Sequence, residues 1–343
     1  MVVRAYPQLG NWTGVARNGL SVNTAACLFR TDRGIFFAKR YDPSTRDLAG
    51  IEAEHAIIRE LLAQGYRTPE LFANRDGGTL TWNSGQPYAV FEQAGGEDRY
   101  REASVFAPFE SLLEGNSAGR WLASFHQALR GLPLPPVKPF LGITARYRWL
   151  LAPTTSQGLD DLLAEAPILA PFLRERPELP ELLEYMEARR ERLAPFVSGL
   201  PAGIIHGDFI KRNLFFEGRE VSDVLDFDLW NVGPWVYDLA LALLPCGFDW
   251  RAIAESSEPR YPDMRAFIEG YETVRALSAN EAAALPIVME SARVEIYLSL
   301  VTMALQQQDD DRAMLFWGFI ITLIRWFGGN EDWSVKLREG GAA

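Results

Sequence analysis

One passage of short apolar runs, residues 203–227, interrupts a region of the chain in which helical patterns otherwise dominate. Within this passage, residues 214–216 and 221–225 are strand candidates joined by the turn-like sequence EGRE. The pattern predicts a β-hairpin. Because antiparallel strands bring their open ends together, Asn213 before the first strand and Asp226 after the second are expected to lie side by side.

Oxygen atoms of Asn213 and Asp226 would then face one point, which suits Mg²⁺, a hard cation that takes few protein ligands. Asp208 lies just upstream and can accept a proton from an attacking hydroxyl group, or orient that hydroxyl towards a phosphate. His206 is expected to support the loop through hydrogen bonds. Asp228 either supports the site or contacts the metal. The sequence thus predicts a metal-dependent phosphate-transfer site with Asp208 as its catalytic residue.

The N-terminal part of the chain has a different pattern. Strand candidates and one helix candidate follow one another there, at residues 25–31, 34–41, 51–64 (the helix), 79–82 and 88–92. This order predicts a small α+β lobe that ends where paired glycines follow Ala94. We therefore expect two lobes, residues 1–94 and residues 95–343, with a ligand cleft between them.

Composition argues against several functional classes. A formal net charge of −11 argues against a protein whose main partner is nucleic acid. Cys27 and Cys246 are too far apart in sequence to suggest a disulfide framework or a metal-binding cluster, which fits the cytoplasm. The first residues lack the apolar core of a signal peptide, and the longest apolar run, residues 314–327, is too short to span a bilayer. That run predicts a buried helix, and no feature of the sequence indicates an oligomeric state.

The motif H-x-D-x-x-x-x-N at residues 206–213, followed by D-F-D at 226–228, resembles the catalytic loop and metal motif of protein kinases, in the His-Gly-Asp form of aminoglycoside phosphotransferases. Residues 226–243 are similar to that family's segment, in which a metal aspartate precedes a Gly-Pro turn and a helix opening with Tyr-Asp-Leu-Ala. Choline kinases, type II homoserine kinases and related small-molecule kinases share the likeness. The resemblance implies a bilobal protein-kinase-like fold of the α+β class, with an antiparallel-sheet nucleotide-binding lobe, a larger mainly helical lobe, and ATP and Mg²⁺ as cofactors.

The same resemblance assigns roles to residues outside the hairpin. Lys39, near the end of GIFFAKRY, would contact the α- and β-phosphates. Glu54 on the following helix would hold the lysine in position, with Glu52 as the alternative. Asp238 would be the structural aspartate that accepts backbone N–H groups and holds the catalytic loop.

Two further segments resemble nucleotide contacts of the family. Residues 19–23 (GLSVN) resemble the loop that covers the nucleotide, although the chain has no G-x-G-x-x-G motif. The phosphates would then be covered by Gly19, Ser21 and backbone N–H groups. The hinge, whose backbone would meet adenine, would contain Phe91, Gln93 and Ala94.

The acceptor is constrained by the short distance from Asp226 to Asp238, twelve residues, which leaves little room for the platform that presents a peptide to a protein kinase. This favours a small-molecule hydroxyl group, for example that of an aminosugar, choline or a homoserine-like compound. A kinase-like protein serine/threonine kinase and a nucleotide-binding pseudokinase without turnover remain as alternatives. Several acids of the helical region are either pocket residues or parts of solvated helix faces: Asp160, Asp161, Glu165, Glu290 and Glu295.

A second motif suggests different chemistry. Residues 115–119, GNSAG, match the G-x-S-x-G elbow of serine hydrolases. Such an elbow needs a preceding strand, whereas residues 108–114 have a helical pattern, so Ser117 is expected instead to cap a helix that begins near Arg120. His126 is expected to be a packing residue. Lys211 and Arg212 either lie on a solvated loop face, the favoured interpretation, or steady the charge of a phosphate.

Overall fold

The computed structural model describes residues 2–20, 25–42, 47–134, 148–249 and 258–339. Its N-terminal part contains a five-stranded antiparallel sheet in the order β1-β2-β3-β5-β4. The strands are β1 (Trp12–Leu20), β2 (Ala25–Thr31), β3 (Gly34–Arg40), β4 (Thr81–Asn83) and β5 (Gln86–Glu92). One helix, α1 (Leu48–Ala63), connects β3 to β4. The α+β pattern predicted for this part is therefore present.

Helix α1 begins at a capped N-terminus, and its apolar side chains face the interior. The side chain of Asp47 accepts a hydrogen bond from the N–H of Gly50 at 2.8 Å, which satisfies one of the free donors at the start of the helix. The buried apolar residues recur at helical spacing: Ile51, Ile57, Ile58 and Leu61. Glu54 and His55 are buried as well, so α1 also presents two polar groups to the interior.

The rest of the chain is mainly helical. Its helices are α2 (Leu112–Ala128), α3 (Arg148–Leu151), α4 (Thr155–Glu165), α5 (Leu169–Arg174), α6 (Leu179–Val197), α7 (Trp235–Gly247), α8 (Tyr261–Val274), α9 (Ala279–Gln306), α10 (Asp310–Gly329) and α11 (Trp333–Glu339). Two small antiparallel sheets interrupt them, β6 (Ala202–Ile205) with β9 (Asn231–Pro234), and β7 (Leu214–Glu217) with β8 (Glu220–Val224). The catalytic motif identified in the sequence lies within this interruption.

Gly119, two residues after Ser117, permits close packing of two helices. At Gly119 of α2, a Cβ atom would lie 2.0 Å from the carbonyl oxygen of Phe267 in α8. At Gly270 of α8, a Cβ atom would lie 1.9 Å from the carbonyl oxygen of Asn116. Only glycine permits such a close approach of two helix backbones. The second glycine of the G-x-S-x-G match is therefore required by the crossing of α2 and α8, whereas a Cβ atom at Gly115 would come no closer than 3.4 Å to another atom.

The expected capping role of Ser117 was wrong. Helix α2 begins at Leu112, and its cap is Ser111, whose side chain accepts a hydrogen bond from the N–H of Glu114. Ser117 lies inside the helix, where its hydroxyl donates to Glu220 at 2.8 Å and accepts from the N–H of Val221 at 2.9 Å. It thus ties α2 to the hairpin β7–β8.

Helix α10 confirms the helix predicted from the long apolar run, but only one of its faces is buried. Ile320, Leu323, Ile324 and Phe327 belong to the core, whereas Met314 and Leu315 are exposed. The expectation of a wholly buried helix was therefore too simple, because an apolar run does not say how many neighbours surround it. Among the helices described, none combines the length and the apolarity needed to cross a membrane.

The three histidines of the chain are all buried, and the surroundings of His55 make the stability of the fold depend on pH. The Nε2 atom of His55 lies 3.0 Å from the Tyr41 hydroxyl, and its Nδ1 atom lies 2.8 Å from Thr79 Oγ1. Burial, followed by the positive charges of Lys39 and Arg59, lowers the pKa of His55 from 6.5 to about 3. The folded protein therefore keeps His55 neutral where the unfolded chain binds a proton.

We expect His55 alone to lower the free energy of unfolding by about 2 kcal/mol as the pH falls from 7 to 5, because the unfolded state binds the extra proton. Urea unfolding of the wild type and of His55→Gln at pH 7 and pH 5 measures this. Glutamine keeps polar contacts but does not titrate, so its unfolding free energy should depend less on pH. Equal pH dependence in the two proteins would contradict the assignment.

Candidate active site

The hairpin predicted from the sequence is present and brings the two proposed metal ligands together. Strands β7 and β8 pair Leu214 with Val224, and the N–H of Leu225 donates to the carbonyl oxygen of Asn213 at 2.8 Å. Asn213 is therefore directly opposite Leu225, and Asp226 is the next residue along the chain. The antiparallel register thus places an amide and a carboxylate at the same end of the hairpin.

The side chain of Asn213 links this end of the hairpin to Asp208. Its Nδ2 atom donates to the backbone oxygen of Asp208 at 2.9 Å and to Asp208 Oδ2 at 3.2 Å. Because both bonds use the nitrogen of the amide, the Oδ1 atom of Asn213 is left for a different partner. This orientation suits a metal ligand that also fixes the position of the Asp208 carboxylate.

Asp226 has an unusual backbone and an unusual electrostatic environment. It adopts the left-handed region at φ 62° and ψ 64°, a conformation that aspartate tolerates better than most residues and that is found at functional sites. Burial, and after it the negative charge of Asp228, raises the pKa of Asp226 well above its usual range, although Lys39 opposes the shift. A bound cation would relieve this crowding of negative charge, so the residues fit a metal.

Among the described residues, there is no group of three or more histidine, cysteine, aspartate or glutamate side chains placed to hold a metal ion. The pair formed by Asn213 and Asp226 is a smaller ligand set. Such a set matches Mg²⁺ when substrate phosphates and water supply the other ligands.

Lys39 lies in β3, opposite Ala26 of β2 and Ala89 of β5. Its ammonium group donates to Glu54 Oε1 at 2.8 Å and to Asp228 Oδ1 at 2.5 Å. Burial acts to lower the pKa of Lys39, but the two carboxylates outweigh it and hold that pKa well above the usual value. Lys39 is therefore a buried cation.

Of the two glutamates considered from the sequence, Glu54 is the one that faces Lys39. It is buried and also accepts a hydrogen bond from the Tyr41 hydroxyl at 3.1 Å, whereas Glu52 is exposed. Asp228 is buried beside the lysine. The ion pair thus connects the sheet, α1 and the segment that follows the hairpin.

His206 and Asp238 hold the backbone of residues 206–213, which are called the catalytic loop after the role expected from the sequence. The carboxylate of Asp238 accepts the N–H of His206 at 2.7 Å and the N–H of Gly207 at 3.0 Å. The Nδ1 atom of His206 accepts the N–H of Asp208 at 3.2 Å, so its Nε2–H donates to the carbonyl oxygen of Leu225, also at 3.2 Å. His206 therefore joins the catalytic loop to the end of the hairpin.

Gly207 is needed because the loop passes very close to the segment after Asp226. Its φ is +77°, and a Cβ atom at this position would lie 2.1 Å from the carbonyl oxygen of Leu229. Only glycine satisfies both conditions without strain. The central residue of the His-Gly-Asp motif thus permits the two halves of the site to meet.

His126 has a larger role than the packing predicted from its apolar helix. Its ring stacks on Trp235, but its Nε2–H also donates to Asp238 at 3.0 Å, and its Nδ1 atom lies 2.8 Å from the Tyr271 hydroxyl. Burial lowers the pKa of His126, so the ring is neutral and has one donor and one acceptor. Burial alone would raise the pKa of Asp238, but the hydrogen bonds from the His126 ring and from the backbone N–H of His206 help to lower it below its usual range.

The predicted hinge and covering loop are only partly described. Phe91 is buried in β5 opposite Phe37, Gln93 is exposed, and Ala94 is half-buried. Gly19 pairs with Ala26 near the end of β1, and Ser21 lies outside the described residues. The nucleotide-contacting roles of these residues stay predictions.

The pocket acids suggested by the sequence separate into distinct groups. Asp160, Asp161 and Glu165 are exposed on α4. Glu290 is buried, but it is matched by Arg189 at 3.0 Å, Arg192 at 2.9 Å and the Trp333 indole N–H at 3.1 Å. Glu295 is buried and accepts a hydrogen bond from the Tyr237 hydroxyl at 3.3 Å.

The expectation that Lys211 and Arg212 share a solvated face was half wrong. Arg212 is exposed, as expected, and donates to the carbonyl oxygen of Ala103 at 2.9 Å. Lys211 is buried near the Phe109 ring, and burial lowers its pKa to about 8. A loop sequence alone does not indicate which side the core will cover.

Two polar residues of α9, Arg293 and Tyr297, were not recognised in the sequence. Both are buried in the helical region, and the negative charge of Asp208 acts on the pKa of Arg293. An arginine within an otherwise apolar helical pattern was the one sequence feature that could have pointed to this position.

Comparison with known proteins shows the family to which the chain is similar. The model of the phosphotransferase enzyme family matches residues 18–277. The homoserine kinase of Methylobacterium radiotolerans is 29% identical over 296 residues, which cover 86% of this chain and 81% of that protein. The homoserine kinase of Beijerinckia indica is 26% identical over 287 residues, covering 81% and 77% respectively.

Two solved structures share the fold over almost the whole chain. Amicoumacin kinase hAmiN, in complex with AMP-PNP, Ca²⁺ and Ami, has a TM-score of 0.66 at 16% identity, with 95% of this chain and 92% of that chain covered. A microcompartment-associated aminopropanol kinase has a TM-score of 0.67 at 17% identity, with 95% of each chain covered. The predicted kinase-like α+β fold is thereby confirmed. Since the family model spans more than half of its residues, the chain belongs to the phosphotransferase enzyme family.

Proposed function

We propose that this enzyme transfers the γ-phosphoryl group of ATP to the hydroxyl group of a small amine-bearing molecule, with Mg²⁺ as its metal. The observation that carries the proposal is the meeting of Asp208, Asn213 and Asp226 at one end of the hairpin, with Lys39 joined to the same segment through Asp228. Because the similar proteins include homoserine kinases and an aminopropanol kinase, short amino alcohols and hydroxy amino acids are the first acceptors to test. Residues 1–94 would form the nucleotide-binding lobe and residues 95–343 the catalytic and acceptor-binding lobe. The free cysteines Cys27 and Cys246 support a cytoplasmic location.

The nucleotide would be held mainly by charge. A lysine ammonium group has three donors, and in Lys39 two of these bind Glu54 and Asp228. The third is left for an oxygen of the α- or β-phosphate. Oδ1 of Asn213 and the carboxylate of Asp226 would hold the Mg²⁺ ion, which supplies positive charge to neutralise the phosphates.

Asp208 would act on the acceptor. The acceptor hydroxyl oxygen attacks the γ-phosphorus, the bond from that phosphorus to the bridging oxygen of ADP breaks, and the hydroxyl proton passes to the Asp208 carboxylate. Asn213 keeps this carboxylate in place through the bond to its Oδ2 atom. Asp238 and His206 fix the loop on which it lies, so little rearrangement is needed during the reaction.

The roles of the two aspartates can be separated by substitution. Asp208→Asn should bind Mg-ATP but lower turnover by about 10²- to 10⁴-fold, because the proton acceptor is lost while the metal site stays intact. Asp226→Ala should lose the metal-dependent part of ATP binding. Thermal shift with ATP, with and without Mg²⁺, measures binding, and a coupled ADP assay with amino alcohols, homoserine, choline and amino sugars measures transfer.

Asp160→Asn, an exposed change on α4, is the matched control and should behave like the wild type. Wild-type turnover in Asp208→Asn would contradict the catalytic role. Nucleotide binding by the wild type without transfer to any acceptor would instead favour the pseudokinase alternative, and transfer to a protein substrate alone would favour a protein kinase.

The role of the Lys39–Glu54 ion pair can be tested with two substitutions in α1. Glu54→Gln removes the carboxylate that holds the ammonium group, so kcat/KM for ATP should fall by about tenfold to a hundredfold, the usual worth of a charged hydrogen bond. Glu52→Gln removes the same charge two positions earlier, on the exposed side of α1, and should change little. A larger loss in Glu52→Gln than in Glu54→Gln would reverse the assignment.

A further inference from the structure

Arg293 is a buried cation near the middle of α9. Only 8% of its surface is exposed, and its guanidinium group forms no hydrogen bond or ion pair with another residue in the described ranges, where its Nε atom is buried without a partner. Burying a charge without a counterion is costly, so such a residue needs an explanation.

Two other arginines of the helical region are matched by carboxylates. The buried Arg275 donates to Glu281 at 2.5 Å, and Arg189 donates to Glu290 at 3.0 Å. Both of these positive charges are therefore matched by a negative charge within the fold. Arg293 departs from that pattern, which is expected if its anion arrives with a ligand.

The position of Arg293 relates it to the catalytic loop. Helix α9 packs against α7, and the Tyr237 hydroxyl of α7 donates to Glu295 at 3.3 Å. The next residue of α7 is Asp238, which holds the loop that carries Asp208. Burial lowers the pKa of Arg293, and Tyr297 and Asp208 oppose the shift, so the guanidinium lies within electrostatic reach of the catalytic carboxylate.

Tyr297 supplies a second polar group one helical turn further along α9. Residues four positions apart lie on the same face of a helix, so its hydroxyl is near the guanidinium of Arg293. The Tyr297 side chain is 3% exposed, and within the described residues its hydroxyl has no hydrogen-bond partner. A cation and a hydroxyl donor, both buried and neither with an acceptor among the described residues, thus share one face.

We propose that Arg293 and Tyr297 bind a carboxylate of the acceptor, so that the natural acceptor is a hydroxy acid. This inference rests on the proposed phosphotransferase function. A guanidinium group presents two parallel N–H donors that match the two oxygens of a carboxylate, and the phenol adds a third donor. Binding of the carboxylate on α9 would hold the hydroxyl end of the molecule towards Asp208. The nucleotide side of the site, at Lys39 and Asp226, takes no part in this contact.

Three pairs of compounds that differ only in a carboxylate provide the test: L-homoserine and 3-aminopropan-1-ol, L-serine and 2-aminoethanol, and D-glycerate and ethane-1,2-diol. The wild type should phosphorylate the carboxylate member of at least one pair with a higher kcat/KM than the other member.

Arg293→Met should lower kcat/KM for that acid by about tenfold to a hundredfold, mainly through KM, and should change kcat/KM for the other member of the pair by no more than about twofold. Arg293→Lys should recover part of the loss. Arg325→Met, at an exposed ion pair, is the control and should change neither compound.

Stability distinguishes a ligand-binding residue from a structural one. Because Arg293→Met removes a buried charge that lacks a counterion in the described residues, it should unfold at the same or a higher temperature than the wild type. A clear drop in the unfolding temperature would overturn the inference, as would a wild type that prefers no acid over its partner, or an equal loss for both members of a pair. Transfer to the amino alcohols would in that case leave the proposed function standing, whereas absence of Mg-ATP binding and of all transfer would remove both.

Discussion

The buried carboxylate of Asp238 is the interaction on which the geometry of the site depends. It receives two backbone N–H groups of the catalytic loop and the Nε2–H of His126, so three elements converge on one anion. The loop cannot shift without leaving a buried charge short of donors, which is costly. The positions of Asp208 and Asn213 therefore depend on Asp238, which contacts neither ATP nor the acceptor in the proposed mechanism.

Local features of the site could be predicted because they depend on short stretches of sequence. The strands on both sides of EGRE, the helix after β3 and the hydrogen bonds that place Asn213 beside Asp226 all follow from periodicity and turn residues over fewer than twenty positions. The choice of Glu54 over Glu52 was left open, since both lie on one helix and only its packing against the sheet decides which one faces Lys39.

Features that depend on contacts distant in sequence could not be predicted. The partners of His126 lie on α7 and α8, more than a hundred positions away, so its apolar helix suggested packing alone. Ser117 was misplaced because α2 begins at Leu112 and continues through Gly119, which serves a crossing with α8 that only the fold reveals. Arg293 went unnoticed for the same reason, since the significance of a charge in an apolar helix depends on what surrounds it. The boundary at residues 94 and 95 stays a prediction.

The central claim is that Asn213 and Asp226 hold the metal of a bound nucleotide beside Asp208. A crystal structure of the enzyme with Mg²⁺ and a non-hydrolysable ATP analogue tests this most directly. The account predicts a metal ion at about 2.0–2.1 Å from Oδ1 of Asn213 and from a carboxylate oxygen of Asp226, with the γ-phosphate facing Asp208. A nucleotide bound between the sheet and the helical region whose metal contacts neither residue would contradict it.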